Sequence, residues 1–563
     1  MSKITSTPII AFVLIGLLVA FADAAKIEDL APANSLVYVT ISDFDEIWDE
    51  GAVSESWQSM FNSDGTNGSL PEMNQVMEIM QFTIGTDLRG IVETFGRQIA
   101  FVIMPPQSGK NDLSMALILD TGGLRKEAED IISKVSTVMT MDDEKVSANA
   151  NMGQYKKIPY GKVTMEARTF RYGFIDDLLV IGLKEGGFKT IVDTYRGEKN
   201  ASISRNAKFK DIRKKFANVQ LFGYANINNA LPILEANKTS NELKQTLQSN
   251  LKSSNLQSID VIGLGMDFFS VDGLQKLYIS IKKDALAPGL ITSMVREGKS
   301  LDSLLSFRRL NALRTSDVFL AMSFGNLSDL WQSFVDNNDW QEEIQKLENT
   351  SGLDFETEIL RSLTGEVAVS ANVSDEVHEG TNRSIPWKEL FVFMGLKERS
   401  KWEATVNAIQ KLTNTPTQKE YNYKGATVRK LSPPKNELFD TFEYSLTNET
   451  FIAATSTKKI RNIIDNTATV KQSKNADNLL KQLPAPPSLL LDFNLDKLLP
   501  YMLTSVGVDL NSTDTSHSQL KRNLGTCEYT VSPISDGLWM CFRIISGKNL
   551  IDKIGEITSV VVP

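Results

Sequence analysis

LVYVTISDFDEIW (36–48) decides the fold, because it is echoed by FLAMSFGNLSDLW (319–331). In both stretches alternating apolar residues predict a strand, a helix follows directly, and a Trp stands at the same place. Four more pairs of similar blocks follow in the same order: 83–103 with 350–373, 171–193 with 443–465, 221–234 with 489–502, and 263–281 with 527–545. Five block pairs in one order predict a tandem duplication.

The duplication divides the chain of 563 residues. We expect a first repeat over 26–300 and a second over 305–563. Within the first, strands 99–104 and 113–120 are joined by a loop rich in turn-forming residues, and an amphipathic helix follows. Strands joined by hairpins pair antiparallel, so the predicted fold class is α+β, with each repeat an antiparallel-sheet module packed with amphipathic helices.

The N-terminus has the pattern of an export signal. Lys3 precedes an apolar run over 8–22, and Ala22-Asp23-Ala24 is a small-x-small cleavage site. We therefore expect residues 1–25 to be a signal peptide and the mature chain to be exported to the periplasm or the extracellular space. An uncleaved anchor is the alternative, although the run is short for a membrane span. No later segment is apolar enough to be expected to span a membrane.

Composition limits the chemistry. The 60 Lys and Arg against 69 Asp and Glu give a net charge of -9, which argues against a nucleic-acid surface. Two His and two Cys leave little scope for metal or thiol sites. His378 and His517 stand in polar stretches, and neither has a second ligand at zinc spacing. The sequence therefore predicts no metal and no cofactor.

Cys527 and Cys541 flank CEYTVSPISDGLWMC, which reads as a hairpin turning near 535–537. An exported protein meets an oxidising compartment, and the even separation of 14 is compatible with two side chains on one face. We expect a structural disulfide. Two buried free thiols are the alternative.

A Gly-x-Asp block opens a short helix in each half. Asp87 and Asp354 are expected to cap the helix N-terminus by accepting from exposed backbone N–H groups. Gly96 and Gly365 are expected to end the helix in the left-handed conformation. Capping is the favoured reading over a functional role.

Together with LAPANSLVYVTI (30–41), this block resembles an exported bacterial family known only as domain of unknown function 3352. The resemblance covers most of the mature chain in both halves. The Gly96-Arg97-Gln98 stretch departs from the Gly-Glu pattern that the second half keeps. The resemblance implies an exported protein and carries no catalytic residues over.

Other polar motifs favour structural readings. Asp176-Asp177 is read as a turn between strands, Gly263-Leu264-Gly265 as strand packing, and the basic residues of 208–215 as a solvated helix face. The acidic groups Asp43/Asp45/Glu46 and Asp142/Asp143/Glu144 could serve a glycosidase or a calcium site. The oxygen-rich stretch 62–69 lacks the closing Glu of a calcium loop and is read as a flexible connector.

These readings lead to an exported, non-catalytic envelope or periplasmic protein with a binding or scaffolding role. A sheet backed by helices can form a concave apolar surface, so the expected partner is an apolar ligand, a peptide or an envelope protein. The alternative is a hydrolase with a site between the two halves, which would need an imidazole converging on a hydroxyl or carboxylate. A purely structural contact module is a third reading.

Overall fold

The structure is a computed structural model of the chain. It describes these residues: 24–53, 81–82, 84–106, 113–141, 146–165, 168–197, 201–236, 256–282, 316–325, 327–328, 331, 341–373, 387–432, 442–466, 483–498, 525–548 and 553. The signal peptide expected over 1–25 and the boundary expected between 300 and 305 lie outside this part of the chain, apart from residues 24 and 25.

Two compact units divide the chain. The first takes the described residues of Met1–Asn250, Ile259–Ile279 and Gly547–Pro563, and the second those of Leu251–Ser258 and Ser280–Ser546.

The structure describes ten strands in each unit. Those of the first unit are β1 Val37–Ser42, β2 Gln98–Met104, β3 Ser114–Asp120, β4 Val146–Tyr155, β5 Ile158–Met165, β6 Arg168–Ile175, β7 Leu178–Leu183, β8 Leu221–Asn226, β9 Ile259–Met266 and β10 Gln275–Ile281. Those of the second are β11 Val318–Ser323, β12 Leu363–Val373, β13 Trp387–Leu396, β14 Thr417–Tyr423, β15 Ala426–Leu431, β16 Phe442–Leu446, β17 Thr450–Ala454, β18 Leu489–Asn494, β19 Thr526–Ile534 and β20 Gly537–Ile545.

Ten α-helices accompany these strands in the described residues. They are α1 Ala24–Leu30, α2 Phe44–Val53, α3 Leu88–Phe95, α4 Arg125–Met141, α5 Lys184–Tyr195, α6 Ala207–Lys215, α7 Ile227–Ala236, α8 Gln341–Ser351, α9 Arg399–Leu412 and α10 Thr457–Asn466. A short π-helical stretch, Phe355–Ile359, and a 3₁₀ turn, Leu360–Ser362, precede β12.

The strands of the first unit pair in the order β9-β8-β1-β2-β3-β7-β6-β5-β4, with every pair antiparallel. β10 pairs with β9. In the second unit the order is β20-β19-β18-β11-β12-β13-β17-β16-β15-β14, again antiparallel throughout. The α+β class with largely antiparallel sheets is therefore as the hairpin spacing predicted.

One face of the first sheet is closed by α6. The ring of Phe209 on this helix contacts Tyr38 of β1 and Tyr224 of β8, with centroids 5.4 and 5.2 Å apart. All three side chains are buried. Gly263 and Gly265 in β9 let the helix approach: a Cβ on Gly265 would lie 2.3 Å from Phe216 Cδ1. The Gly-Leu-Gly motif thus serves strand packing.

The other face of each sheet carries a helix-covered core at one end. In the first unit α3 and α4 pack on it through a cluster that includes Ile91, Phe95 and Ile131. In the second unit α9 supplies Trp402 and Val406. Both faces of each sheet therefore bury side chains. The face that carries these two clusters also has partly exposed apolar residues, and it is called the open face below.

Candidate functional site

An apolar row crosses six strands on the open face of the second sheet. Its members face one another in register from β20 to β13: Phe542, Tyr529, Leu491, Leu320, Val369 and Val392. All six are partly exposed. Because cross-strand partners lie on one face, these side chains form one apolar strip about five strand spacings long, or roughly 25 Å.

The first sheet carries a similar row from β9 to β7: Leu264, Gly223, Val39, Phe101, Leu117 and Ile181. Phe101 is 38% exposed, a large fraction for a residue in a central strand. Leu117 is buried and belongs to the core under α4. The row therefore passes from covered core to accessible apolar surface.

The opposite face of the second sheet ends in a charged cluster, which sequence reasoning missed. Lys459 on α10 is 7% exposed, and its Nζ lies 4.0 Å from Oε2 of Glu389 in β13. Asn372 of β12 donates to that same carboxylate oxygen at 3.0 Å. Asp317 accepts from the Val373 backbone N–H at 2.9 Å.

Within this cluster burial lowers the pKa of Lys459, and the carboxylates of Glu389 and Asp317 oppose that shift. Lys497 Nζ lies 3.3 Å from Asp317 Oδ2, so this second lysine has a close carboxylate. The Nζ of Lys459 has no hydrogen-bond partner among the described residues.

A second buried ion pair lies on the same face. Arg543 of β20 donates through Nε to Glu528 of β19 at 2.5 Å, and both side chains are largely buried. Asp492 of β18 stands opposite Glu528 in register and is 2% exposed. Asp492 stands where the first sheet has Tyr224 in the aligned blocks 221–234 and 489–502, so at this position the second sheet carries a charge and the first an aromatic ring.

A four-residue arrangement that the sequence reading missed recurs in both units. At the β4–β5 turn, Tyr155 donates its hydroxyl to Asp193 of α5 at 2.9 Å, and Lys156 Nζ lies 2.5 Å from the same carboxylate oxygen. Lys189 of α5 lies over the Tyr155 ring, 5.2 Å from its centroid. Because Asp193 is 5% exposed, these bonds fix the hairpin to the helix in a largely desolvated place.

The second unit has the same arrangement in a more exposed setting. Tyr423 donates to Asp465 of α10 at 3.0 Å, and Lys424 Nζ lies 2.7 Å from that carboxylate. Arg461 lies over the Tyr423 ring at 5.1 Å. The Tyr-Lys dipeptide before each turn and the Ile-Val-Asp or Ile-Ile-Asp ending of the helix block are the signals that would have revealed it.

The two Gly-x-Asp residues cap as the pattern suggests. Asp87 accepts from the Gly90 backbone N–H at 2.7 Å. Asp354 accepts from both the backbone N–H and the hydroxyl of Thr357, at 2.7 and 2.6 Å. These bonds lower the pKa of Asp354, because they stabilise its charged form.

The paired glycines act differently from the expectation. Gly96 follows α3 with φ of -86°, so it does not end the helix in the left-handed conformation. It is needed for space, since a Cβ there would lie 1.7 Å from the Val92 carbonyl oxygen. Gly365 has φ of +90°, but it lies inside β12 at a register shift, where its carbonyl accepts from Phe324. It shapes a bulge and does not cap a helix.

The expected disulfide is wrong. Cys527 and Cys541 are buried free thiols. The hairpin has a two-residue turn, with Ile534 opposite Gly537, so facing residues are separated by an odd number. Cys527 faces Ile544, and Cys541 faces Thr530, which places the two sulfurs on opposite faces of the hairpin. Burial, aided by Asp492 and Glu528, raises the pKa of Cys527 to about 12.

The remaining sequence candidates are mostly structural. Asp176 lies in the β6–β7 turn with φ of 53°, as the turn reading predicted. Two basic residues of α6 are engaged in contacts: Lys208 with Asp260 at 2.6 Å and Arg213 with Glu28 at 3.3 Å. Two of the basic side chains on this helix are therefore paired with carboxylates. Asp43 is a positive-φ residue next to Phe44 at the start of α2.

Other candidates cannot be placed. The two histidines His378 and His517, the acidic residues 142–144 and the oxygen-rich stretch 62–69 lie outside the described residues.

Within the part of the chain that the structure describes, no group of three or more His, Cys, Asp or Glu side chains is placed to hold a metal ion. The described helices also include none with the length and apolar character needed to cross a membrane.

Comparison with known proteins identifies no family. No family model and no curated protein matches the chain. Two solved structures, crystal forms IV and III of TP0453, align with 43% of this chain and with 93% and 94% of their own. Their identities are 11% and 13%, and the TM-scores are 0.23 and 0.22. At that level the likeness does not establish a shared fold.

Proposed function

We propose that the chain is an exported, non-catalytic protein of two homologous units that binds an apolar ligand or an apolar peptide segment on its open sheet faces. The observation that carries the proposal is the pair of six-strand apolar rows, one on each sheet. Large partly exposed apolar strips are typical of binding sites in otherwise soluble domains.

A duplication origin is supported by the matching strand orders of the two units and by the recurring Tyr-Lys-cation-Asp arrangement. Tyr155 and Asp193 occupy the same elements as Tyr423 and Asp465, and Lys189 the same helix position as Arg461 in the ungapped block 171–193 and 443–465. Independent sheets have no physical reason to repeat a ring-stacked cation beside a hydrogen-bonded carboxylate.

An apolar ligand is favoured over a polar one by the composition of the rows. In the second unit the neighbouring row on the same face, Met540, Val531, Leu489, Met322, Val367 and Met394, is also apolar. Methionine side chains adapt their shape to different apolar partners. The face therefore suits an alkyl chain or the apolar side of a peptide.

The hydrolase alternative requires a histidine beside a hydroxyl or carboxylate, and both histidines lie outside the described residues. Export rests on the N-terminal pattern, and N-terminal sequencing of protein recovered from its native envelope tests it by locating the cleavage.

The binding proposal is tested with the fluorescent apolar probe 1-anilinonaphthalene-8-sulfonate and the full chain. Leu320→Gln in the second row and Val39→Gln in the first place an amide in the middle of each strip. We expect each variant to weaken probe binding several-fold, because a buried unpaired amide costs about 1–3 kcal/mol.

Ile409→Gln is the matched control, since Ile409 is an apolar residue of α9 that is 42% exposed and lies outside both rows. It should leave probe binding unchanged. If the two row variants bind the probe as well as the Ile409 variant does, while all three keep the native circular dichroism spectrum, the sheet faces are not the binding surface.

A further inference from the structure

Lys459 is a buried lysine whose amine forms no hydrogen bond to the described residues. Its side chain is 8% exposed, and Nζ has no hydrogen-bond partner among the described residues. The Glu389 oxygen nearest to it is 4.0 Å away, beyond hydrogen-bond range.

The surrounding carboxylates have other donors. Glu389 Oε2 accepts from Asn372 Nδ2 at 3.0 Å. Asp317 Oδ2 accepts from the Val373 backbone N–H at 2.9 Å and lies 3.3 Å from Lys497 Nζ. The charges of Asp317 and Lys497 therefore offset each other, and the Lys459 amine is left facing Glu389 across a gap.

A buried ammonium without hydrogen bonds is unfavourable, so this setting raises the fraction of the neutral amine above that of an exposed lysine. Burial lowers the pKa of Lys459, in agreement with that geometry, although Glu389 and Asp317 act in the opposite direction. A neutral amine keeps its lone pair and is a nucleophile toward carbonyl carbon.

The fold does not require this cluster. In the ungapped block, Gly187 stands where the second unit has Lys459. Leu36 stands where the second unit has Asp317. The backbone carbonyl of Leu36 accepts from the N–H of Asn226, and that of Asp317 accepts in the same way from Asn494. The first unit builds the same sheet with apolar and small residues there, so the charged set is a feature of the second unit alone.

We infer that Lys459 is a nucleophilic amine that forms an imine with a small aldehyde or ketone, and that Glu389 transfers the protons of that reaction. The amine lone pair adds to the carbonyl carbon, the carbonyl π electrons move to oxygen, and Glu389 carries one proton from nitrogen to that oxygen. Glu389 then carries the second nitrogen proton to the resulting hydroxyl, which leaves as water when the C=N bond forms. One amine and one carbonyl give one imine and one water, so no oxidant or reductant is needed.

This inference does not rest on the proposed binding of apolar ligands, because the cluster lies on the opposite face of the sheet. The test uses the full chain with propionaldehyde at neutral pH and cyanoborohydride, which reduces the imine to a stable secondary amine. Proteolysis and mass spectrometry then give the initial rate of modification at each lysine.

Lys458 is the internal control, since it is exposed and adjacent on the same helix. We expect Lys459 to be modified several-fold faster than Lys458. If Lys459 is instead modified more slowly, as its burial alone would require, and formaldehyde gives the same ranking, the inference is overturned.

Glu389→Gln supplies a second readout that a structural role would not move. This variant should slow modification of Lys459 and leave the rate at Lys458 unchanged. Equal rates at Lys459 in the variant and the parent protein would remove Glu389 from the reaction, and Lys459→Met with an unchanged melting temperature checks that the signal belongs to this position.

Discussion

Replacing Gly265 by Ala tests whether the aromatic face of the first sheet is closed while the opposite face is open. A Cβ on Gly265 would lie 2.3 Å from Cδ1 and 3.1 Å from Cε1 of the Phe216 ring. Carbon atoms in contact normally lie about 3.5–4.0 Å apart. The ring must therefore move by about 1 Å inside a cluster that is fully buried, and such overpacking costs about 1–3 kcal/mol.

Gly223→Ala is the matched control, because Gly223 lies in the paired strand β8 and faces the open side. Its added Cβ would lie 3.3 Å from the Leu264 Cβ, a contact that a small shift relieves. Neither glycine has a positive φ, so the gain of about 0.5–1 kcal/mol from replacing glycine in a strand is common to both and cancels in the comparison.

The expected result is that Gly265→Ala unfolds at lower urea concentration than Gly223→Ala, with a difference in free energy of unfolding of about 1–3 kcal/mol. Circular dichroism at 222 nm, fitted for the first unit's transition, measures it. Adding Phe216→Leu to Gly265→Ala should recover part of the loss, since the two changes share one cavity. Equal midpoints for the two glycine variants would refute the assignment of closed and open faces.

Two further predictions follow from the repeated polar contacts. Asp193→Asn should lower the free energy of unfolding by about 1–3 kcal/mol, because it weakens a charge-assisted hydrogen bond to Tyr155 and a buried ion pair with Lys156. Asp465→Asn, in the more exposed counterpart, should lower it less. Equal losses in urea titrations of the two variants would contradict this prediction. Asp354→Asn should destabilise the protein at neutral pH but not in acid. Folding lowers the pKa of Asp354, so its carboxylate stabilises the fold above the ordinary pKa of 3.8 and loses that effect as the pH falls through the lowered pKa. A difference in unfolding free energy between variant and parent that persists below that range would argue against the prediction.

Sequence patterns predicted the α+β class, the hairpin pairing and the N-caps at Asp87 and Asp354, because these depend on residues close in sequence. The turn at Asp176 and the strand role of Gly263 and Gly265 were predictable for the same reason. The helix ends expected at Gly96 and Gly365 were wrong, because Gly96 provides space against Val92 and Gly365 shapes a bulge. The disulfide prediction failed by a single residue of strand register. The disulfide was wrong because a two-residue turn pairs residues at odd separation, and the Cys pair has an even one.

The polar cluster at Lys459 could not be predicted, because its members come from four segments far apart in sequence. Asp317, Asn372, Glu389 and Lys459 meet through the pairing of β11, β12 and β13 and the packing of α10. No short motif marks them. A position-by-position comparison of the two halves would have identified one member of the cluster, because Lys459 stands at the position of Gly187 in a block that aligns without a gap.

The strands of the two units pair in the same order, but the side chains on the two closed faces differ. In the first, Tyr38, Tyr224 and Phe209 fill the face with aromatic rings, which stabilise it by burial. In the second, Glu528 and Arg543 occupy that face as a buried ion pair, which is costly to desolvate and contributes little net stability. Phe319 of β11 is also buried and faces Asp492, so the difference between the two closed faces is local, while an apolar row lies on the other face of both sheets. The apolar rows common to both units are the feature on which our binding proposal rests, and the buried charges of the second unit are independent of it.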